Sequence, residues 1–330
     1  MIRKLMQSIR EFKLFSLLSP LFVVLEVVME VVIPLLMAKL IDEGIDGAGG
    51  MDAVMHYGWI LLVCCVLSLI FGALAGHFAA FASAGFARNL RHDMFYRVQK
   101  YSFSNIDKFS TAGLVTRLTT DVTNTQNAFQ MLLMICTRSP VTLIVALFMA
   151  FSISAKLSTV FLVAIAFLGV MIVILIPKAM RYFRQMFRKY DAVNGVVKEN
   201  VGAIRVVKAF VREEYEDEKF SGAADDLFKN SISAERIISF SMPIMQLIVY
   251  ACILVISWFG AKMIVSQTGL TTGELTSLLS YVMNILMSLM MLSTVFVMIT
   301  MSAASAKRVA EVLDEKSDLT NGENPVMDVK

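Results

Sequence analysis

Two carboxylates stand out because they lie in the middle of an otherwise apolar run. Glu26 and Glu30 are the acidic residues of the hydrophobic stretch 14–40. A spacing of four places both side chains on one face of a helix. Ionisable groups at such a depth usually face a bundle interior or a water-filled cavity. Two interpretations follow: the pair attracts a cation in a substrate cavity, or it hydrogen-bonds neighbouring helices or a water-lined wall.

Methionines in the last apolar run form a second candidate set. Their thioether is polarizable and their side chain is flexible, as is typical of surfaces that bind varied apolar ligands. Ordinary packing between helices is the simpler interpretation of the same residues. We predict that the two glutamates line a substrate cavity together with Met283, Met287, Met290 and Met291.

Arg138 directly precedes Ser139 and Pro140, near the start of another apolar run. A proline inside a helix frees a backbone carbonyl one turn earlier. We expect the guanidinium to reach such carbonyls or the membrane interface, with a role in moving substrate as the alternative.

Residues that could carry catalysis are not grouped in this sequence. No G-x-x-x-x-G-K-[ST] segment occurs to cradle phosphates, because the glycine cluster at 47–50 is followed by Met51 and Asp52. The three histidines are isolated, no nucleophile has an evident general base, and the four cysteines lie in apolar runs. We predict no catalytic residue, cofactor site, metal site or nucleic-acid partner for this chain.

The composition indicates what positions these residues. Of the 330 residues, 57% are hydrophobic and 17% charged, and the mean hydropathy is +0.69. An ordinary soluble domain has about 25% charged residues. We predict an all-α membrane protein whose six transmembrane helices occupy about 14–40, 55–86, 130–153, 157–176, 240–265 and 275–301.

Two connections are too long and too polar to be membrane loops. The helical pattern that begins near Met55 continues to Ser102, which is roughly 72 Å at 1.5 Å per residue, against about 30 Å of hydrocarbon. The stretch from Lys178 to Ser239 holds twelve Lys/Arg residues and has its apolar residues at helical spacing. We therefore expect long helical extensions outside the bilayer.

Charge sets the expected orientation. The Lys/Arg residues cluster at the N-terminus, in the two long connections and in the C-terminal tail, the exceptions being Lys39, Arg138, Lys156 and Lys262. Cytoplasmic segments carry the excess of positive charge. We expect both extensions and both termini to be cytoplasmic, in a multi-pass protein of a bacterial inner or plasma membrane.

Residues 103–122, FSNIDKFSTAGLVTRLTTDV, carry a resemblance to a known family. They resemble the first intracellular loop of ATP-binding cassette (ABC) exporters, whose usual form is F-x-x-x-x-T-G-x-L-x-x-R-x-x-x-D. One departure is an alanine inserted before the glycine. The matching positions are Phe109, Gly113, Leu114, Arg117 and Asp121.

Residues 199–220, ENVGAIRVVKAFVREEYEDEKF, are similar to the second intracellular loop of the same exporters. The tail resembles the junction that leads into their nucleotide-binding domain, and IDEGID (41–46) is similar to bacterial multidrug-type half-transporters. The resemblance implies a transmembrane domain of the type 1 exporter fold at 1–316, followed by a linker at 317–330. The catalytic half of such proteins is not present in this sequence.

Several expectations follow from the resemblance. Each extension would carry a coupling helix that docks on a nucleotide-binding domain, in the same polypeptide or a separate one, and that domain would bind ATP and Mg²⁺. A second transmembrane half, as homodimer or heterodimer, and membrane lipids would be the other partners. The first coupling helix, around 106–114, would use Ile106, Asp107, Phe109, Gly113, Leu114 and Arg117. The second, around 208–215, would use Lys208, Ala209, Phe210, Arg212, Glu213 and Tyr215.

The function implied is ATP-driven outward movement of amphipathic drugs, lipids or peptides by alternating access. ATP hydrolysis would require the nucleotide-binding domain. The alternative is a six-span adaptor or receptor subunit that recruits a cytosolic partner through its helical extension, without transport.

Overall fold

The described part of the chain, residues 2–317 of a computed structural model, consists of helices joined by short turns and contains no strand. Side chains are described from Leu5 onward, apart from scattered helical positions. The predicted linker lies outside the described residues except for Ser317. The α-helices are α1 (Ile2–Gln7), α2 (Lys13–Lys39), α3 (Gly50–Val98), α4 (Phe103–Phe109), α5 (Thr111–Thr116), α6 (Val122–Ile153), α7 (Ala155–Gly202), α8 (Ile204–Ala209), α9 (Glu213–Val265) and α10 (Thr272–Asp314).

Within residues 2–317, six helical segments are long and apolar enough to cross a membrane, which confirms the predicted all-α, six-span fold. They lie in α2, α3, α6, α7, α9 and α10. Spanning takes about 20 residues, whereas α3 has 49, α7 has 48 and α9 has 53. Long helical extensions beyond the apolar runs are therefore part of the fold.

The described residues form two compact units. One comprises the described residues up to Ser158 together with those from Phe259 to Ser317, and the other comprises Thr159–Trp258. In the first unit α2 packs on α3, and α10 packs on α2 and α6.

A buried cluster, here called the end core, joins distant parts of the first unit. Its apolar side chains come from the start of the chain, the end of α3, the short helix α5 and the last turns of α10. Phe12 enters it against Gly85, where an added Cβ would lie 2.4 Å from the ring, so only glycine allows this approach. Other members are Leu5, Ile9, Phe86, Leu90, Met94, Tyr101, Leu114, Val309 and Val312.

The second unit contains most of α7 and α9, with α8 between them. Ion pairs join the two long helices within this unit: Lys189 to Asp226 at 2.6 Å and Lys219 to Glu199 at 2.9 Å. These side chains are partly exposed, so each pair contributes little to stability, about 0–1 kcal/mol. The spacing of the two pairs along each helix shows that α7 and α9 run antiparallel here.

Candidate functional site

The two intramembrane glutamates form one charge cluster with Arg138. Arg138 Nη1 lies 2.7 Å from Glu26 Oε1, and Nη2 lies 2.5 Å from Glu30 Oε2. The cluster therefore joins α2 to α6, and it touches α3 as well, since a Cβ on Gly72 would lie 2.9 Å from Glu26 Oε1. With all three groups ionised, the cluster carries one net negative charge.

These contacts contradict the expectation for Arg138 and change the expectation for the two glutamates. Arg138 was expected to reach backbone carbonyls or the interface, and it binds two carboxylates instead. Glu26 and Glu30 are consequently not a free acidic pair, because one guanidinium already compensates half of their charge. Glu30 has the more accessible side chain, 42% exposed against 17% for Glu26.

Hydrogen bonds set the depth of α10 against this cluster. Tyr281 Oη donates to the carbonyl of Val31 over 2.9 Å, and Ser277 Oγ donates to the carbonyl of Pro34. The helices run antiparallel in these contacts, so Glu30 lies about level with Tyr281 and Glu26 about level with Leu286.

The four predicted methionines differ in the exposure of their side chains. Met283, Met287 and Met291 are exposed in the chain and recur every four residues, which makes them one stripe of α10. Met290 is partly buried. The stripe is thus available to a ligand or to another helix, and its role in a substrate cavity stays a prediction.

Asp42 lies three residues after the end of α2 and binds the first residues of α10. Its Oδ2 accepts from Thr271 Oγ1 at 2.6 Å, and its Oδ1 accepts from the Gly273 amide at 2.8 Å. Carboxylates at helix N-termini are stabilised by the free amide groups there. Gly273 permits the contact, since a Cβ would lie 2.3 Å from the Ala38 carbonyl oxygen.

The first extension ends in two short helices rather than one. A helix was expected around 106–114, and α4 instead ends at Phe109 while α5 begins at Thr111. Ser110 between them has φ +56° and ψ 148°, and its Oγ accepts from the Gly113 amide at 3.1 Å. A Cβ on Gly113 would lie 3.0 Å from that oxygen, which explains the glycine of the motif.

The arginine and aspartate of this motif hold the end of α10. Arg117 Nη1 donates to the Arg308 carbonyl at 2.8 Å and to Glu311 at 2.9 Å. Arg308 Nε donates to Asp121 Oδ2 at 2.7 Å, and its Nη2 donates to Oδ1. Hydrogen bonding to the Arg308 guanidinium holds the pKa of Asp121, which precedes the predicted span 130–153, below its ordinary value. We call Arg117, Asp121, Arg308 and Glu311 the clamp.

Tyr101 strengthens the same attachment. Its hydroxyl donates to the Val312 carbonyl at 2.6 Å, and its ring stacks on Phe109 with centroids 5.8 Å apart. Burial raises the pKa of Tyr101 to about 12. Lys108 adds a salt bridge of 2.8 Å to Glu315, just beyond α10.

Most residues predicted for the first coupling helix face their own chain. Ile106, Phe109 and Leu114 pack into or against the end core, and Arg117 belongs to the clamp. Asp107 is exposed, and Gly113 is half-buried beside its Ser110 cap. Phe103 was missed, although it is an aromatic residue with 88% of its surface exposed. Phe103 directly follows Ser102, which caps α4, and this position could have marked it as a candidate in the sequence.

The second extension also differs from the expected single helix at 208–215. α8 ends at Ala209, and α9 begins at Glu213. The Arg212 amide donates back to the Val207 carbonyl at 3.0 Å, and Val211 has φ +51°. This is the hydrogen bonding of a helix C-terminus in which the left-handed residue is usually glycine.

Apolar side chains project from this turn, here called the tip. Phe210 is 73% exposed and Val211 is 80% exposed. Lys208 Nζ binds Glu213 Oε1 at 2.9 Å, and this hydrogen bond lowers the pKa of Glu213. The other predicted residues of this set, Ala209, Arg212 and Tyr215, are also exposed. Docking of the tip on a partner stays a prediction.

Comparison with known proteins identifies the family. Residues 16–290 match the model of the ABC transporter transmembrane region. The chain is 30% identical over 317 residues to the uncharacterized ABC transporter ATP-binding protein YfiB of Bacillus subtilis, which covers 96% of the chain and 55% of that protein. It is 27% identical over 321 residues to the uncharacterized ABC transporter ATP-binding protein Rv1273c of Mycobacterium tuberculosis, covering 97% and 55%.

A more distant similarity is to an ATP-dependent lipid A-core flippase of Pseudoalteromonas translucida, 23% identical over 299 residues, or 89% of the chain and 50% of the flippase. The chain spans about half the length of the curated relatives that it matches. The family model covers most of the sequence, including both extensions that carry the predicted motifs. The chain therefore belongs to the ABC transporter transmembrane region family.

Proposed function

We propose that this chain is the transmembrane half of an ATP-driven exporter that moves amphipathic substrates outward by alternating access. It would act with a nucleotide-binding domain, in the same polypeptide or as a separate one, and with a second transmembrane half. The membrane would be a bacterial inner or plasma membrane, with both termini and both extensions on the cytoplasmic side. Family membership supports the proposal, and the tip of the second extension carries it.

The tip combines two features that a solvated helix turn does not need. A β-branched residue in the left-handed region costs about 1–2 kcal/mol, yet Val211 occupies it. Phe210 and Val211 also expose apolar surface next to the Lys208–Glu213 pair. Backbone strain persists where the surroundings impose it, commonly at functional sites. An apolar centre with a charged rim suits docking on a partner.

The clamp supplies the second connection to a nucleotide-binding domain. A domain that follows α10 in the chain would pull on residues held by Arg117 and Asp121. The same residues belong to the loop proposed to dock on that domain. Movement of the domain would therefore be transmitted to α3, α6 and α10 together, because the end of α10 is bound to residues that lie between α3 and α6.

The charge cluster and the methionine stripe would meet the substrate. One net negative charge beside apolar surface favours amphipathic molecules, and a cationic group would interact best with the accessible Glu30. The name of the flippase relatives makes a lipid one candidate class. ATP and Mg²⁺ would be bound by the nucleotide-binding domain, where hydrolysis drives the cycle.

The experiment uses inverted membrane vesicles from cells that produce the protein with its ATPase partner. We expect ATP-dependent accumulation of a fluorescent amphipathic probe, tested with one cationic dye and one lipid analogue. Phe210→Ala should abolish accumulation while ATP hydrolysis continues, because the partner no longer engages the tip. Phe228→Ala, an exposed aromatic of α9 away from the tip, is the matched control. Accumulation unchanged by Phe210→Ala would refute the coupling role of the tip.

A further inference from the structure

A cleft in the first unit lies outside the proposed transport path. It has a volume of about 460 Å³ and lies between the first residues of the chain, the end of α3 and the last turn of α10. Its walls include Arg10, Asp93, Tyr96, Arg97, Lys100 and Leu313. We propose that this cleft binds a phosphate group, supplied by the headgroup of an anionic phospholipid.

The charge balance of the cleft favours an anion. Asp93 is already paired, since its Oδ1 lies 2.6 Å from Arg10 Nη2 and its Oδ2 accepts from Ser8 Oγ at 2.9 Å. Arg97 and Lys100 also face the cleft, and neither has a carboxylate within ion-pair distance among residues 5–317. Lys100 Nζ lies 4.2 Å from the centre of the Tyr96 ring, a contact that leaves its positive charge uncompensated, so the charges of Arg97 and Lys100 both remain for an anion. Guanidinium and ammonium groups are the usual side-chain partners of a phosphate in proteins.

The cleft is held in place by the chain around it. Arg10 has φ +40°, a conformation that arginine rarely adopts. The conformation is fixed on one side by the Arg10–Asp93 ion pair and on the other by Phe12, whose ring lies against Gly85. Asn89 Nδ2 donates to the Ser8 carbonyl at 3.1 Å and fixes the same segment. The segment 8–12, which forms one wall of the cleft, is thus fixed before any ligand arrives.

One wall of the cleft lies at the edge of the lipid headgroup layer. The predicted span of α2 begins at Leu14, so Arg10 lies four residues outside it, within about 6 Å, and its ion pair places Asp93 level with it. Arg97 and Lys100 lie four and seven residues beyond Asp93. The polar layer on each side of the hydrocarbon is about 5–8 Å thick, and long basic side chains can reach back into it. On the membrane side, Leu14 and Leu17 are 62% and 71% exposed within seven residues of Arg10. Acyl chains would lie on that surface, which favours a lipid over free phosphate.

The test uses native mass spectrometry of the purified full chain in neutral detergent. Phosphatidylglycerol and phosphatidylcholine with identical acyl chains are titrated separately, and the bound lipids are counted. The variant is Arg97→Gln with Lys100→Gln. The control is Lys13→Gln with Arg91→Gln, which removes the same charge from neighbouring positions outside the cleft.

We expect wild type to bind one phosphatidylglycerol at least tenfold more tightly than phosphatidylcholine. Each cation near an anionic headgroup contributes roughly fivefold, so the cleft variant should lose about 25-fold in affinity while the control stays within twofold. Equal losses in both variants, or no preference for the anionic lipid in wild type, would overturn the proposal.

A third arm separates the two sources of phosphate. Inorganic phosphate at millimolar concentration is added to the protein with bound phosphatidylglycerol. Failure to displace the lipid supports the headgroup as the ligand. Displacement in wild type, together with phosphate binding that the cleft variant loses, would support the phosphate site and overturn its assignment to lipid. All three arms measure binding alone, so their outcome is independent of whether the chain transports anything.

Discussion

The ion pair between Asp121 and Arg308 allows a prediction whose magnitude differs between its two partners. Asp121 is 1% exposed and Arg308 is 45% exposed. Asp121→Asn removes charge-assisted hydrogen bonds but leaves a cation that water can reach, so the expected cost is about 2 kcal/mol. Arg308→Ala leaves a buried carboxylate without its main partner, which typically costs about 3–5 kcal/mol. Arg117 remains nearby and offsets part of that charge, so we expect about 3 kcal/mol.

Hydrogen exchange of the backbone amides of residues 305–316 measures this effect locally. A factor of ten in exchange corresponds to about 1.4 kcal/mol. Asp121→Asn should therefore accelerate exchange by about 30-fold, and Arg308→Ala by roughly 150-fold. Amides in the first half of α10, near Tyr281, serve as the internal control and should not change. The double variant should cost less than the sum of the single ones, because the residues share one interaction.

An Asp121→Asn effect equal to or greater than that of Arg308→Ala would refute the reasoning, since burial of the carboxylate would then not matter. The pH dependence gives a further check. The pKa of Asp121 is lowered in the folded chain from an ordinary value of 3.8. Its contribution is thus fully present above about pH 4 and is lost as the pH falls through the folded value. Exchange protection attributable to the clamp should be constant between pH 5 and 8.

Three other predictions concern the turn at the tip, the first residues of α10 and the charge cluster. Val211→Gly should stabilise the second unit by about 1 kcal/mol, because glycine adopts positive φ freely; a lowered thermal midpoint would contradict the strain argument. Gly273→Ala should destabilise the chain by about 1–3 kcal/mol, since its Cβ would meet the Ala38 carbonyl oxygen at 2.3 Å; an unchanged unfolding midpoint, with Gly222→Ala as the control, would count against this packing. Glu26→Gln with Glu30→Gln should weaken cationic substrates more than neutral ones, and equal effects in a vesicle uptake assay would argue against a charge-selective cavity.

The six spans could be predicted because their evidence is local. Long apolar runs, the prolines inside them and polar turns between them are readable without knowing which helices touch. The motif likewise singled out Arg117 and Asp121 from their positions in the sequence alone. Their partner on α10 is 187 residues from Asp121 in the chain, and no periodicity connects positions so far apart.

The same limit explains the charge cluster. Arg138 and Glu26 are separated by 112 residues, so the sequence offered each group several possible partners. The break between α8 and α9 could not be predicted from the sequence for a different reason. Glycine normally marks a left-handed helix end, and Val211 gives no such signal, whereas its neighbours Lys208 and Ala209 are compatible with a continuous helix.

α10 is fastened at both ends within one compact unit: Asp42 binds its first residues, and the clamp binds its last turns. Such a helix cannot slide along its own axis without breaking contacts at one end. Its 43 residues give an end-to-end length of roughly 63 Å. Spin labels at its two ends would therefore report the same separation with and without ATP. That pair would provide a fixed internal ruler, against which distances that change during a cycle can be calibrated in the same sample.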